Sequence, residues 1–136
     1  MNKYICIALL FHTANSFACR CNEISAADNF KNADFVIIAT VIEVDVSHNY
    51  PNDNKNDTVK HGSKAKFAVS KIFKGAFKSD TIIIDSGFSD CSVTFYEKRT
   101  YLVYGRETQG AYDTGLCDRT RPLEGNKDIE ILNKLK

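Results

Sequence analysis

Ala33-Asp34-Phe35-Val36-Ile37-Ile38-Ala39-Thr40-Val41-Ile42-Glu43-Val44-Asp45-Val46 is a long β-rich run whose character changes midway. Its first half is apolar at nearly every position, as in a strand covered on both faces. Its second half alternates, which predicts Ile42, Val44 and Val46 inward with Glu43 and Asp45 outward. A strand that changes in this way fits a bent strand shared by two sheet layers, as in a small closed barrel.

Outward from that run, the pattern supplies four more strands. Lys64 to Phe73 alternates through Ala65, Phe67 and Val69 until Ile72 falls out of phase, which predicts a bulge near Ser70 or Lys71. Thr81 to Ile84 is a third strand, Arg99 to Glu107 a fourth, and Ala111 to Leu116 a short fifth after a turn at Gln109-Gly110. Tyr101 and Tyr104 read as barrel walls. Ser47 to Gly62 has almost nothing to bury and reads as an exposed loop, with His48 and His61 solvated rather than catalytic. A short helix is expected from Glu23 to Asn32, capped by Ser25, with Asp28 three residues on and Ala26, Ala27 and Phe30 as its apolar side. Another is expected from Asp128 to Leu135, with Ile129, Leu132 and Leu135 inward. The fold class is therefore mainly β: a five-stranded barrel of the OB type with short flanking helices.

The N-terminus reads as an export signal. Lys3 supplies a basic start, Tyr4 to Phe11 is apolar and uncharged, and Ser16-Phe17-Ala18 places small residues where a signal peptidase inspects them. The apolar run is far shorter than the roughly 20 residues of a membrane span. A lipoprotein signal also ends before a cysteine, but it wants a small residue at Phe17 and an aliphatic one at Ser16. The expected division is a signal peptide over residues 1–18 and one domain over 19–136, a length suited to a single core. Losing Lys3 takes the 18 basic residues to parity with the 17 acidic ones. A neutral chain has no long-range pull on nucleic acid or anionic membrane, so Lys64, Lys66, Lys71, Lys74 and Lys78 read as a solvated strand face.

Losing Cys6 turns five cysteines into four, and an even set in an exported chain reads as two disulfides. Cleavage after Ala18 would start the mature chain at Cys19-Arg20-Cys21. Cysteines one residue apart do not bridge each other comfortably, so each needs a distant partner, and only Cys91 and Cys117 remain. Paired Cys-x₂₋₄-Cys spacing for zinc and Cys-x-x-Cys for redox catalysis are both missing. So are His-Glu-x-x-His, a phosphate loop and a dinucleotide fingerprint. Gly87-Phe88-Ser89-Asp90-Cys91 lacks the closing glycine of a nucleophile elbow. The chain is not expected to be an enzyme.

Taken in order, four features resemble the netrin-like family, and within it the N-terminal domain of tissue inhibitors of metalloproteinases. They are Cys-x-Cys after the signal; Ala33-Asp34-Phe35-Val36-Ile37; Cys91 ahead of Tyr101-Leu102-Val103-Tyr104-Gly105; and Gly115-Leu116-Cys117-Asp118 followed by Pro122-Leu123. The resemblance spans roughly Cys19 to Leu123. It implies disulfides Cys19–Cys91 and Cys21–Cys117, and a secreted inhibitor of zinc metalloendopeptidases. The implied mechanism has the amine and carbonyl of Cys19 on the protease's zinc, with Arg20, Cys21, Phe88, Ser89 and Asp90 as protease contacts. It further implies an extracellular or periplasmic monomer without a cofactor of its own. Where the family has Thr or Ser after the first cysteine, this chain has Arg20, which implies a protease with an acidic or open pocket. The alternative is an exported netrin-like binding or structural module that uses the same disulfides and inhibits nothing.

Overall fold

The computed structural model describes residues 19–48 and 55–135. The expected export segment and its cleavage site lie outside the described residues. Ten strand residues, Phe35–Val44, form β1, and the remaining strands are β2 (His61–Gly62), β3 (Lys64–Lys74), β4 (Thr81–Asp85), β5 (Phe95–Tyr96), β6 (Thr100–Thr108), β7 (Ala111–Asp113) and β8 (Arg121–Pro122). Helices α1 (Ala26–Asn32) and α2 (Asp128–Lys134) flank them, and short 3-10 turns cover Val46–His48 and Leu116–Asp118. The five expected strands are β1, β3, β4, β7 and β6 in spatial order, and antiparallel pairing of β1 with β6 closes them into a barrel. All neighbours are antiparallel except β4 and β7, which run parallel over Ile84↔Tyr112 and Asp85↔Asp113.

The two-sided burial of β1 has a direct cause. Phe35, Ile37, Ala39 and Val41 point into the barrel, where they meet Phe67, Ile84, Phe95 and Tyr101. Val36 and Ile38 point the other way, onto Leu102, Tyr104, Phe30 and α2 residues Ile129 and Leu132. Each helix is too short to be stable alone and persists because it covers this second face. Inside the barrel, Phe67, Phe95 and Tyr101 pack edge to face, with centroids 4.9 and 5.4 Å apart for the two pairs made by Phe95. The buried Tyr101 hydroxyl accepts from the Tyr96 N–H at 3.0 Å and donates to the Thr94 carbonyl at 3.3 Å.

The pairing of β1 with β3 changes register at three points. Ser70 is the extra residue between Ala39↔Val69 and Ile38↔Lys71, as the phase slip predicts, and its hydroxyl donates to the Ile38 carbonyl at 3.1 Å. A further shift between Val41 and Glu43 was not foreseen. Ile42, next to the inward Val41, faces outward at 48 % exposure, the shift returns Val44 to the inside, and Val46, already in a 3-10 turn, is outward; only Val44 of the expected three is buried. β7 ends at Asp113 rather than Leu116, because the buried Thr114 hydroxyl instead donates to the Tyr104 carbonyl. The helix expected from Glu23 begins at Ala26, though Ser25 caps it as predicted, accepting from the Asp28 N–H at 3.1 Å. Leu135 lies beyond α2 and is exposed. The Ser47–Gly62 segment is not wholly loop: β2 pairs with β5. His61 is correspondingly packed, its ring 5.2 Å from that of Tyr96 and its Nδ1 3.2 Å from an Asp57 oxygen.

Candidate functional site

Residues 19–25 have no regular structure before α1, so their place is set by cross-links rather than by backbone ladders. Cys19 is bonded to Cys91 and Cys21 to Cys117, with Cα atoms 5.2 and 5.1 Å apart across the two bridges. The Cys19 sulfur lies 3.7 Å from that of Cys117 and 3.9 Å from that of Cys21, so the two disulfides touch. Three sulfurs are thereby gathered within 4.8 Å, but all are oxidised and offer no thiolate to a metal. The cluster is a covalent knot. Cys19 is half-buried, whereas Arg20 and Cys21 are exposed on top of it.

The second strand of the knot is the 86–92 loop, and its shape follows from short polar side chains. Ser86, buried, accepts from the Val93 N–H at 3.0 Å and turns its hydroxyl proton toward the Ser63 and Val93 carbonyls. Gly87 then turns with φ +77°, a conformation that side chains disfavour, and donates its N–H to Asp85 at 2.8 Å. Ser89 closes the turn: its hydroxyl accepts from the Cys91 N–H, its own N–H donates to the Ser92 hydroxyl, and its carbonyl accepts from the Ser92 N–H. Phe88, Ser89 and Asp90 are left exposed, with Phe88 at 57 %. The Cys91 carbonyl accepts from the Leu116 N–H at 2.8 Å, which joins this loop to the turn bearing Cys117. Thus Cys19, Arg20, Cys21 and Phe88 to Asp90, expected to act together, are brought onto one disulfide-linked ridge.

Arg119 was not singled out by the sequence, yet it locks the ridge to the body. It sits in the left-handed region at φ 62°. Its Nη1 donates to the Ile24 carbonyl at 2.9 Å, while Nε and Nη2 donate to the two Asp128 oxygens at 2.9 and 2.6 Å. The Tyr104 hydroxyl also donates to Asp128, at 3.1 Å. The Arg119 hydrogen bonds hold the Asp128 carboxyl below its ordinary range against the opposing effect of burial. Burial and the Asp128 charge push the Tyr104 phenol up. On the other side of the Cys117 turn, Arg106 reaches Asp113 at 3.2 Å and Asp118 at 3.4 Å, and the Asn29 amide donates to the Asp118 carbonyl. Arg119 and Ile24 are 95 positions apart, so no local pattern in the sequence announces their contact.

A cleft of about 850 Å³ is lined by His61, Tyr96, Arg99 and Leu123 among others, and none of the ridge residues belongs to it. Among the described residues no helix is long and apolar enough to cross a membrane.

No curated protein matches the sequence. Residues 17–127, however, match the family described as tissue inhibitor of metalloproteinase, a span that takes in the Cys-x-Cys ridge, the whole barrel and both distant cysteines. The barrel is the netrin-like one, and the module is of the metalloproteinase-inhibitor kind. By that match, which covers well over half of its length, the chain belongs to the tissue inhibitor of metalloproteinase family.

Proposed function

We propose that this chain is a secreted inhibitor of zinc metalloendopeptidases and that Cys19, freed by removal of residues 1–18, binds the protease's zinc. A catalytic zinc keeps one position open for water or substrate. The Cys19 α-amine and carbonyl oxygen fill it as a five-membered chelate, which displaces the water that would otherwise attack. An α-amine titrates near pH 7.7–8.0, so at neutrality it yields its proton to the metal at small cost. The Cys19 carbonyl then stands where a scissile carbonyl would stand, but no nucleophile remains beside it. Both neighbours of Arg20 are already bridged to the barrel, so binding orders little new chain. Arg20 enters the subsite next to the zinc, and Cys21 with Phe88 to Asp90 flanks it. The inhibitor acts as a monomer outside the cytoplasm, where its disulfides persist, and it brings no cofactor of its own.

The observation that carries this reading is the anchoring of both cysteines of the tripeptide, Cys19 to Cys91 and Cys21 to Cys117, with Arg20 exposed between them. The test begins with the N-terminal sequence and non-reduced mass of the secreted protein, expected to show a free Cys19 and two disulfides. Inhibition kinetics follow, with and without one alanine added before Cys19. The added residue removes the chelating amine and is expected to abolish inhibition while leaving thermal stability unchanged. Unaltered protease kinetics in an excess of folded, correctly processed protein would overturn the reading.

A further inference from the structure

Arg20 is an exposed guanidinium that, among the described residues, makes no hydrogen bond and no ion pair. Three other arginines differ. Arg106 is held by Asp113 and Asp118, Arg119 by Asp128 and the Ile24 carbonyl, and Arg121 by the Leu116 and Thr120 carbonyls. The residues on either side of Arg20 are both disulfide-bonded, so its backbone is held while its side chain is free to reach outward.

We infer that the protease this chain fits carries a carboxylate in the subsite beside its zinc, and so cleaves its own substrates before Arg or Lys. The inference rests on the proposed zinc binding by Cys19. Chain direction then decides the rest. If the Cys19 carbonyl replaces the scissile carbonyl, the next residue occupies the subsite that takes the substrate residue just after the cut. A guanidinium buried there without a counter-charge loses its hydration and regains nothing. A carboxylate at the pocket floor reverses the balance through a paired, charge-assisted contact. Arginine held on a pre-organised backbone is also a common source of the strongest single contributions at protein interfaces.

The experiment compares two zinc endopeptidases as probes, one that cleaves before lysine or arginine and one that cleaves before leucine or phenylalanine. Each is titrated with the processed protein, with Arg20→Leu, with Arg20→Lys and with the alanine-extended form. Because Arg20 is exposed and makes no hydrogen bond or ion pair among the described residues, its variants are expected to keep both disulfides, which non-reduced mass verifies. The native protein is expected to inhibit the first enzyme at least about 30-fold more tightly than the second. Arg20→Leu should reverse the preference and Arg20→Lys should retain it. Inhibition that is lost on extension but indifferent to residue 20 overturns this inference and leaves zinc binding standing. A native preference for the apolar-pocket enzyme overturns it likewise. No inhibition of either enzyme by any form overturns both.

Discussion

The Arg119 guanidinium satisfies a nearly buried carboxylate with two of its donors and gives a third to a carbonyl at the start of the chain. Asp128 is only 7 % exposed at its side chain, so removing Arg119 leaves a charge with a single phenolic donor to meet it. Arg119→Met is therefore expected to cost about 2 kcal/mol, less than a fully buried pair because the guanidinium is itself 37 % exposed. The pH dependence has a definite sign. The Asp128 carboxyl is lowered from 3.8 on folding, so its contribution is complete above that value and is lost as pH falls through the lowered one. Urea unfolding at neutral pH and near the acid limb measures this: Arg119→Met should flatten the acid limb, and an unchanged limb would show that the pair does not couple to folding. Gly105 gives a second residue-scale test. A Cβ there would strike the Phe35 ring and lie 2.6 Å from the Asp113 carbonyl oxygen. Gly105→Ala should cost about 3 kcal/mol, and a melting temperature equal to that of the native protein would contradict the packing described. Neither residue was marked out in the sequence for this role, because each owes its importance to partners in other elements of the fold.

Strands of three residues or more were legible, from alternation, an apolar run or a flanking turn; the two-residue pairings were not. The bulge at Ser70 showed as a slip from Val69 to Ile72, since five alternating residues set the phase that Ile72 breaks. The shift at Ile42 left no such mark, because both Ile42 and Val44 are apolar and either fits an inward position. β2 and β5 are two residues each, too short for any period, and they pair across a separation that no local pattern spans. The 86–92 loop belongs with these. Its turn residues Gly87, Ser89 and Ser92 are recognisable, but Ser86 looks like an ordinary loop serine until its hydroxyl is seen inside, between Ser63 and Val93. Ser86→Ala leaves the buried Val93 N–H without an acceptor, at a cost of about 2 kcal/mol. The loss should be felt first in the loop it anchors. Hydrogen exchange across residues 87–92 is expected to quicken more than exchange in β6, with weaker protease inhibition alongside. Uniform quickening over the whole barrel would mean that Ser86 supports the core rather than the ridge.

For the molecule as a whole, the cysteine count announced two cross-links, whereas their pairing came from a resemblance and not from spacing. Two pairings join the tripeptide to Cys91 and Cys117, and local pattern does not choose between them. The structure chooses through the Cys91–Leu116 hydrogen bond, which sets the two distant cysteines side by side in a fixed order. The closed loops, with separations of 72 and 96 residues, are each worth about 4–5 kcal/mol by chain entropy, too similar to be told apart by length. Removing Cys21–Cys117 with paired Cys→Ser substitutions should therefore lower stability by about 4 kcal/mol while the barrel, closed by its own β1–β6 ladder and aromatic core, still forms. Binding should respond differently from folding. Cys19 stays tethered through Cys91, so the proposed zinc ligand is kept, but residues 20 to 23 gain freedom that must be lost again on the protease. At a temperature where the variant is fully folded, inhibition should weaken, chiefly through faster dissociation. Inhibition equal to that of the native protein, measured on folded variant, would mean that Cys21–Cys117 serves stability alone and that the ridge owes its fit to Cys19–Cys91.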